Sequence, residues 1–162
     1  MKQYRTNGAV GALLDEYEKA LGELKELIEE VTDRELAQIV DRETQDPDCV
    51  SIQTILTHVV RSGYGYAISV RKSLGEPLDY KERVKLNTAR EYQEALDDMF
   101  HYNERLFEDY PNLQLEETED QKKILVSWGQ RYDAEQIFEH AIVHILRHRR
   151  QIERFLLRIR NT

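Results

Sequence analysis

The chain has one cysteine, three prolines, seven glycines and one tryptophan in 162 residues. A lone Cys49 excludes an intrachain disulfide framework and fits a reducing cytosol. Few prolines and glycines mean few interruptions, which favours long helices over a turn-rich β fold. No apolar run approaches the ~20 residues needed to span a bilayer, and the N-terminus carries no apolar signal core. The expectation is a soluble, cytoplasmic protein without a membrane partner. A net charge of −8 leaves no general basic surface for a phosphate backbone, so no nucleic-acid partner is expected. The arginines at 147, 149, 150, 154, 158 and 160 are interleaved with acidic and apolar residues. They read as the exposed side of a last helix, where cations also complement the helix dipole.

What the chain does have is helical periodicity. Charged residues make up 33% and hydrophobic ones 40%, enough for one sizeable core in a single domain over 1–162. From about residue 8 an apolar stripe runs through Val10, Leu13, Leu14, Tyr17, Leu21, Leu24, Leu27, Ile28 and Val31. Thr32 with Glu35 has the form of a capping box for a short piece reaching Val40, and 41–50 reads as a loop. Ser51 caps a second long helix through Ile55, Leu56, Val59, Val60, Tyr64, Ile68 and Leu74, stopped by Gly75 and Pro77. After a polar connection over 75–87, Thr88 with Glu91 starts a third, carrying Tyr92, Leu96, Met99, Phe100, Asn103, Leu106 and Phe107 to Pro111. An acidic connection follows over 111–132, with a short helical turn expected around Ile124–Trp128. Asp133 with Gln136 then caps the last helix, which reaches about Arg160. Four principal helices in one domain point to an all-α four-helix bundle, and the two long connections argue against simple hairpins throughout.

Four of the five histidines lie in two places: His58 on the second long helix, and His140, His144 and His148 on the last. Residues four apart on a helix share a side. Two imidazoles at that spacing can grip one divalent metal ion, with a third arriving from another helix. Three neutral His ligands leave a position open for water or substrate, as catalytic metals require. Spacing alone admits a 140/144 pair or a 144/148 pair, and core histidines satisfied by hydrogen bonds give the same pattern. His101 has no partner at ligand spacing and reads as surface or interhelix. Cys49 lies in the polar stretch Asp46-Pro47-Asp48-Cys49, with no positive neighbour to activate it as a nucleophile. Trp128, Tyr64, Tyr66 and Tyr132 read as core or interface aromatics, with a pocket-mouth position as the second reading of Tyr132. No Glu or Asp stands out as a general base, because helix phase turns Glu139 and Glu153 away from the 144/148 face.

The segment His144-Ile-Leu-Arg-His148-Arg149-Arg-Gln151-Ile152 resembles the final-helix motif of the DinB/YfiT-like superfamily, His-x-x-x-His-Arg-Gly-Gln-Ile. Ile55-Leu56-Thr57-His58-Val59 resembles that superfamily's second-helix histidine. The likeness covers nearly the whole chain in helix count, length and the long second connection. One departure is Arg150 where the family often has Gly, a change that bears on helix packing or a dimer contact. The resemblance implies a four-helix bundle of up-down-down-up topology, often a homodimer, holding zinc or nickel on three histidines. Carried onto this chain these are His58, His144 and His148, with His140 left as a neighbour, substrate-facing or packed. Arg149 reads as a structural partner of a carboxylate across the bundle or a dimer interface, and Gln151 as orienting a neighbouring group. The resemblance further implies a transferase or isomerase acting on a small molecule with a low-molecular-weight thiol. Metal-bound water on the same ligands would instead make a hydrolase. A metal- or small-molecule-binding bundle without catalysis, or a purely structural dimerising bundle, uses the same helices. Imidazole suits Zn, Ni, Cu and Fe alike, so spacing leaves the metal open.

Overall fold

The computed structural model describes residues 3–161, and the chain is mostly helical. The described helices are α1 (Gly8–Ile28), α2 (Asp33–Ala37), α3 (Ile52–Ser73), α4 (Ala89–Asp109) and α5 (Ala134–Arg160). No helix is long and apolar enough to cross a membrane.

Helix starts follow side-chain chemistry. Thr32, Ser51, Thr88 and Asp133 each accept from the backbone N–H three residues on, and each residue there returns a bond to the cap's own N–H. Each capping box satisfies two otherwise orphaned donors. Gly75, at φ 96°, follows the end of α3 in a left-handed conformation that side-chain-bearing residues rarely adopt. The short helix stops at Ala37 rather than at Val40. Gln38 turns extended, and the N–H groups of Val40 and Asp41 donate to Val50 O instead of to the helix.

The larger correction lies in 111–132. In place of a helical turn at Ile124–Trp128, Ile124–Leu125 (β1) pairs antiparallel with Arg131–Tyr132 (β2), in the register Ile124 with Tyr132 and Leu125 with Arg131. Gly129, at φ 85°, donates its N–H to Val126 O and closes the turn, which a helix could not accommodate. Trp128 sits at the tip of this small hairpin.

Each long helix packs against two others: α1 and α3 both meet α4 and α5. Apolar stripes therefore face one core, with Tyr17 and Leu24 of α1, Ile55 and Leu56 of α3, Tyr92 and Met99 of α4, and Phe138 and Ile152 of α5 all essentially inaccessible. Tyr92 also anchors the 75–87 connection. Its hydroxyl accepts from the Leu86 N–H and donates to Gln53 O, each at 3.1 Å. Gln53 Nε2 in turn donates to Leu86 O at 2.6 Å. The connection thus lies along α3 instead of bulging into solvent.

The approach of α3 to α4 depends on Gly63, because a Cβ there would overlap the side chain of fully buried Met99. Gly63→Ala is expected to cost about 1–3 kcal/mol, the usual range for overpacking, read as a lowered urea midpoint.

Candidate metal centre

Packing of α3 on α5 brings together the three histidines that the resemblance implies. His144 and His148 are buried on α5, at 4% and 3% exposure, and His58 is half-buried on α3. His58 Nε2 lies 2.9 Å from His144 Nε2, which lies 3.2 Å from His148 Nε2. One ligand atom from each falls within 4.8 Å of the other two. Three nitrogens bound tetrahedrally at Zn–N lengths of ~2.0–2.1 Å would stand about 3.3 Å apart. The observed spacing is close to that.

The outer ring nitrogens settle the tautomers. His58 Nδ1 donates to Asp48 Oδ2 at 3.1 Å, and His148 Nδ1 donates to Gln151 Oε1 at 3.0 Å. In the neutral state both Nε2 atoms then carry lone pairs. Both face His144 Nε2, which has one proton at most to offer. If His144 spends it there, one lone pair remains unmet, and the buried His144 Nδ1 has no hydrogen-bond partner among the described residues either way. A cation at the convergence point would meet all three lone pairs at once. The donor set therefore fits a divalent metal, and the Asp48 and Gln151 contacts are of the kind that orient metal-bound imidazoles.

Burial keeps these rings unprotonated. Desolvation, with the neighbouring His148 and His58, pushes His144 down to about 2. Desolvation brings His148 down to about 4 against the opposing bond to Gln151. His58 is lowered by burial, although Asp48 and Asp46 pull the other way. Neutral imidazole is the form that ligates.

The cluster opens on two sides. A cavity of about 460 Å³ is walled by His58, Tyr66, Trp128, His140, His144 and Arg147, among others. A shallower opening reaches His58 and His148 between Asp46, Cys49, Arg150 and Arg154. His140 is outside the ligand cluster and faces the cavity, stacked on Trp128 at 4.6 Å between ring centroids. Trp128 and Tyr66 are thus cavity walls as well as packing residues. Tyr132 packs against Trp128 but lines a separate groove, with Tyr110 and Leu113. Tyr64 packs on Tyr102, outside the cavity. His101 is exposed, its Nδ1 donating to Asp97 O of its own helix. Arg149 pairs with Glu23 on α1 and with Glu153, tying α5 to α1 away from the histidines. Burial raises the Cys49 thiol, so it is held as S–H, 3.8 Å from Gln151 Oε1.

Asp48 is the residue that reading the sequence missed. It sits in a one-turn 3-10 helix, Pro47–Cys49, capped by Asp46, whose Oδ1 accepts the Asp48 N–H at 2.9 Å. Arg83, from the 75–87 connection, bridges the Asp48 carboxylate at 2.5 and 2.8 Å. No periodicity announces such a contact, because it joins two loops to a helix. Arg61, Lys81 and Arg147 at the cavity rim were missed as well; the position of Arg61 and Arg147, each three residues after a ligand histidine, was the available signal.

No family model matches the chain, and no curated protein or solved structure matches it either.

Two predictions follow from this geometry. Asp48→Asn is expected to weaken metal binding about 10- to 100-fold, the usual cost of losing a carboxylate behind a ligating histidine, measured by competition with a chelating indicator. In metal-free protein the unfolded chain takes up protons below the ordinary histidine pKa of 6.5, whereas folded His148 takes them up only near 4. Stability should therefore fall as pH drops from 6.5 towards 4, and the slope of the denaturation midpoint against pH should flatten in His148→Gln.

Proposed function

We propose that the chain is a metal-dependent enzyme of the DinB/YfiT-like kind, a four-helix bundle of up-down-down-up topology working as a cytoplasmic homodimer. Its reaction is transfer of a low-molecular-weight thiol to a small electrophile. The observation that carries this reading is the convergence of His58, His144 and His148 Nε2 beside a cavity large enough for a small molecule. A zinc or nickel ion held there would supply Lewis acidity, favouring the deprotonated form of a coordinated thiol.

The chain's own residues define the rest. Asp48 and Gln151 hold two of the rings in the ligating tautomer. Tyr66 and Trp128 wall the cavity. His140, lowered by burial and the nearby Arg147, stays neutral and is the titratable group on the wall best suited to accept a proton. No described carboxylate lines the cavity, so the role of proton acceptor falls to His140.

The test is elemental analysis of protein purified without a polyhistidine tag. The expected result is about one metal per chain in the wild type, lost in His58→Ala and His144→Ala, with thiol-dependent turnover of model electrophiles lost in parallel. Stoichiometric metal in His144→Ala would overturn the ligand assignment. A loaded protein inert towards thiol–electrophile pairs would overturn the reaction.

A further inference from the structure

The cavity beside the histidines has a charge opposite to that of the protein. The chain carries a net −8, yet the charged groups on the cavity wall are Arg61, Lys81 and Arg147, with no described carboxylate among the lining residues. Arg61 lies one turn beyond His58 on α3, and Arg147 one turn beyond His144 on α5. Each helix that contributes a ring to the cluster therefore also contributes a guanidinium to the rim. Lys81 arrives from the 75–87 connection, fixed there by Arg61 Nε, which donates to Lys81 O at 3.0 Å. None of the three forms a salt bridge with a described residue, but the Lys81 ammonium lies over the Tyr64 ring, outside the cavity, at 5.4 Å, so the cations left to the mouth are the Arg61 and Arg147 guanidiniums. By contrast Arg5, Arg71, Arg83, Arg149 and Arg160 each meet a carboxylate.

The remaining walls are flat. Trp128 stacks on His140 with ring planes 20° apart and remains 41% exposed, and Tyr66 meets both rings edge-on. Aromatic walls bind a planar apolar body, and a guanidinium fork matches a carboxylate. We infer that the cavity takes a flat, conjugated or aromatic carboxylate, its anionic group held at the Arg61–Arg147 rim and its planar body against Trp128 and Tyr66. This names the substrate class of the proposed reaction and rests on that reading for its chemistry, but the binding itself needs only the cavity walls.

Trp128 is the chain's single tryptophan and lines this cavity, so its fluorescence reports binding there. The experiment titrates metal-free and zinc-loaded protein with trans-cinnamate and, separately, with the isosteric but neutral cinnamamide. The metal-free arm isolates the rim from direct contact between carboxylate and metal. The expected result is saturable quenching by cinnamate in both forms, with cinnamamide at least about tenfold weaker, the order of effect of losing one charge-assisted contact. Arg147→Gln, at an exposed position, should remove most of that preference. Arg150→Gln, at the other opening, should leave it unchanged. Equal affinity for acid and amide, no response of Trp128 to either, or an unaltered preference in Arg147→Gln would each overturn the inference. Metal content is measured on the same samples, so the two readings fail separately. One metal per chain without acid preference sinks the substrate class alone. Acid preference without metal uptake sinks the metal centre alone.

Discussion

Three imidazole lone pairs aimed at one point are the constraint around which this molecule is arranged. Two buried acceptors facing a third nitrogen with a single proton cannot all be satisfied by protein groups, and a buried unmet polar atom is costly. Here the neighbouring groups hold the arrangement in place. Asp48 and Gln151 take the outer N–H groups of His58 and His148, forcing the lone pairs inward, and burial keeps the rings neutral. Such stored polar mismatch is characteristic of a site built for a cation.

The long helices supply the ligands, but the connections finish the site. The loop before α3 delivers Asp48, the 75–87 segment delivers Arg83 and Lys81, and the hairpin before α5 delivers Trp128. Each is fixed by bonds that have little to do with helix packing. Tyr92 anchors Leu86, Arg61 holds Lys81 O, and Gly129 closes the hairpin turn. The helices form a common scaffold, and the residues that surround the histidines come from short segments laid over one side of it, as loops on rigid scaffolds generally do.

Charge is divided in the same way. The acidic surface and the cationic cavity mouth coexist in one chain: Arg149 pairs with Glu23 and Arg71 with Asp109, while Arg61 and Arg147 near the histidines form no salt bridge with a described residue. Exposed pairs contribute little stability individually, whereas Arg71 is buried where it meets Asp109 and Glu76. The single free thiol, Cys49, is held protonated behind His148 and Gln151 and takes no part in this division.

Local rules accounted for much of the fold. Capping boxes at Thr32, Ser51, Thr88 and Asp133, together with the apolar stripes, are short-range features, so helix starts, helix faces and the separation of His144 from His148 were legible in the sequence. The ends at Ala37 and the hairpin at Ile124–Tyr132 were not. The first turns on a backbone bond from Val40 to Val50 and the second on strand pairing around Gly129, and neither has a helical period. Periodicity placed His58 on a helix and left two pairings open on α5; the packing of α3 against α5 decided which nitrogens meet and turned His140 towards the cavity. The partners of those rings, Asp48 above all, were likewise a matter of tertiary structure. A hydrogen bond between a loop and a helix leaves no spacing in the chain, whereas a helix imposes its 3.6-residue repeat on every side chain it carries.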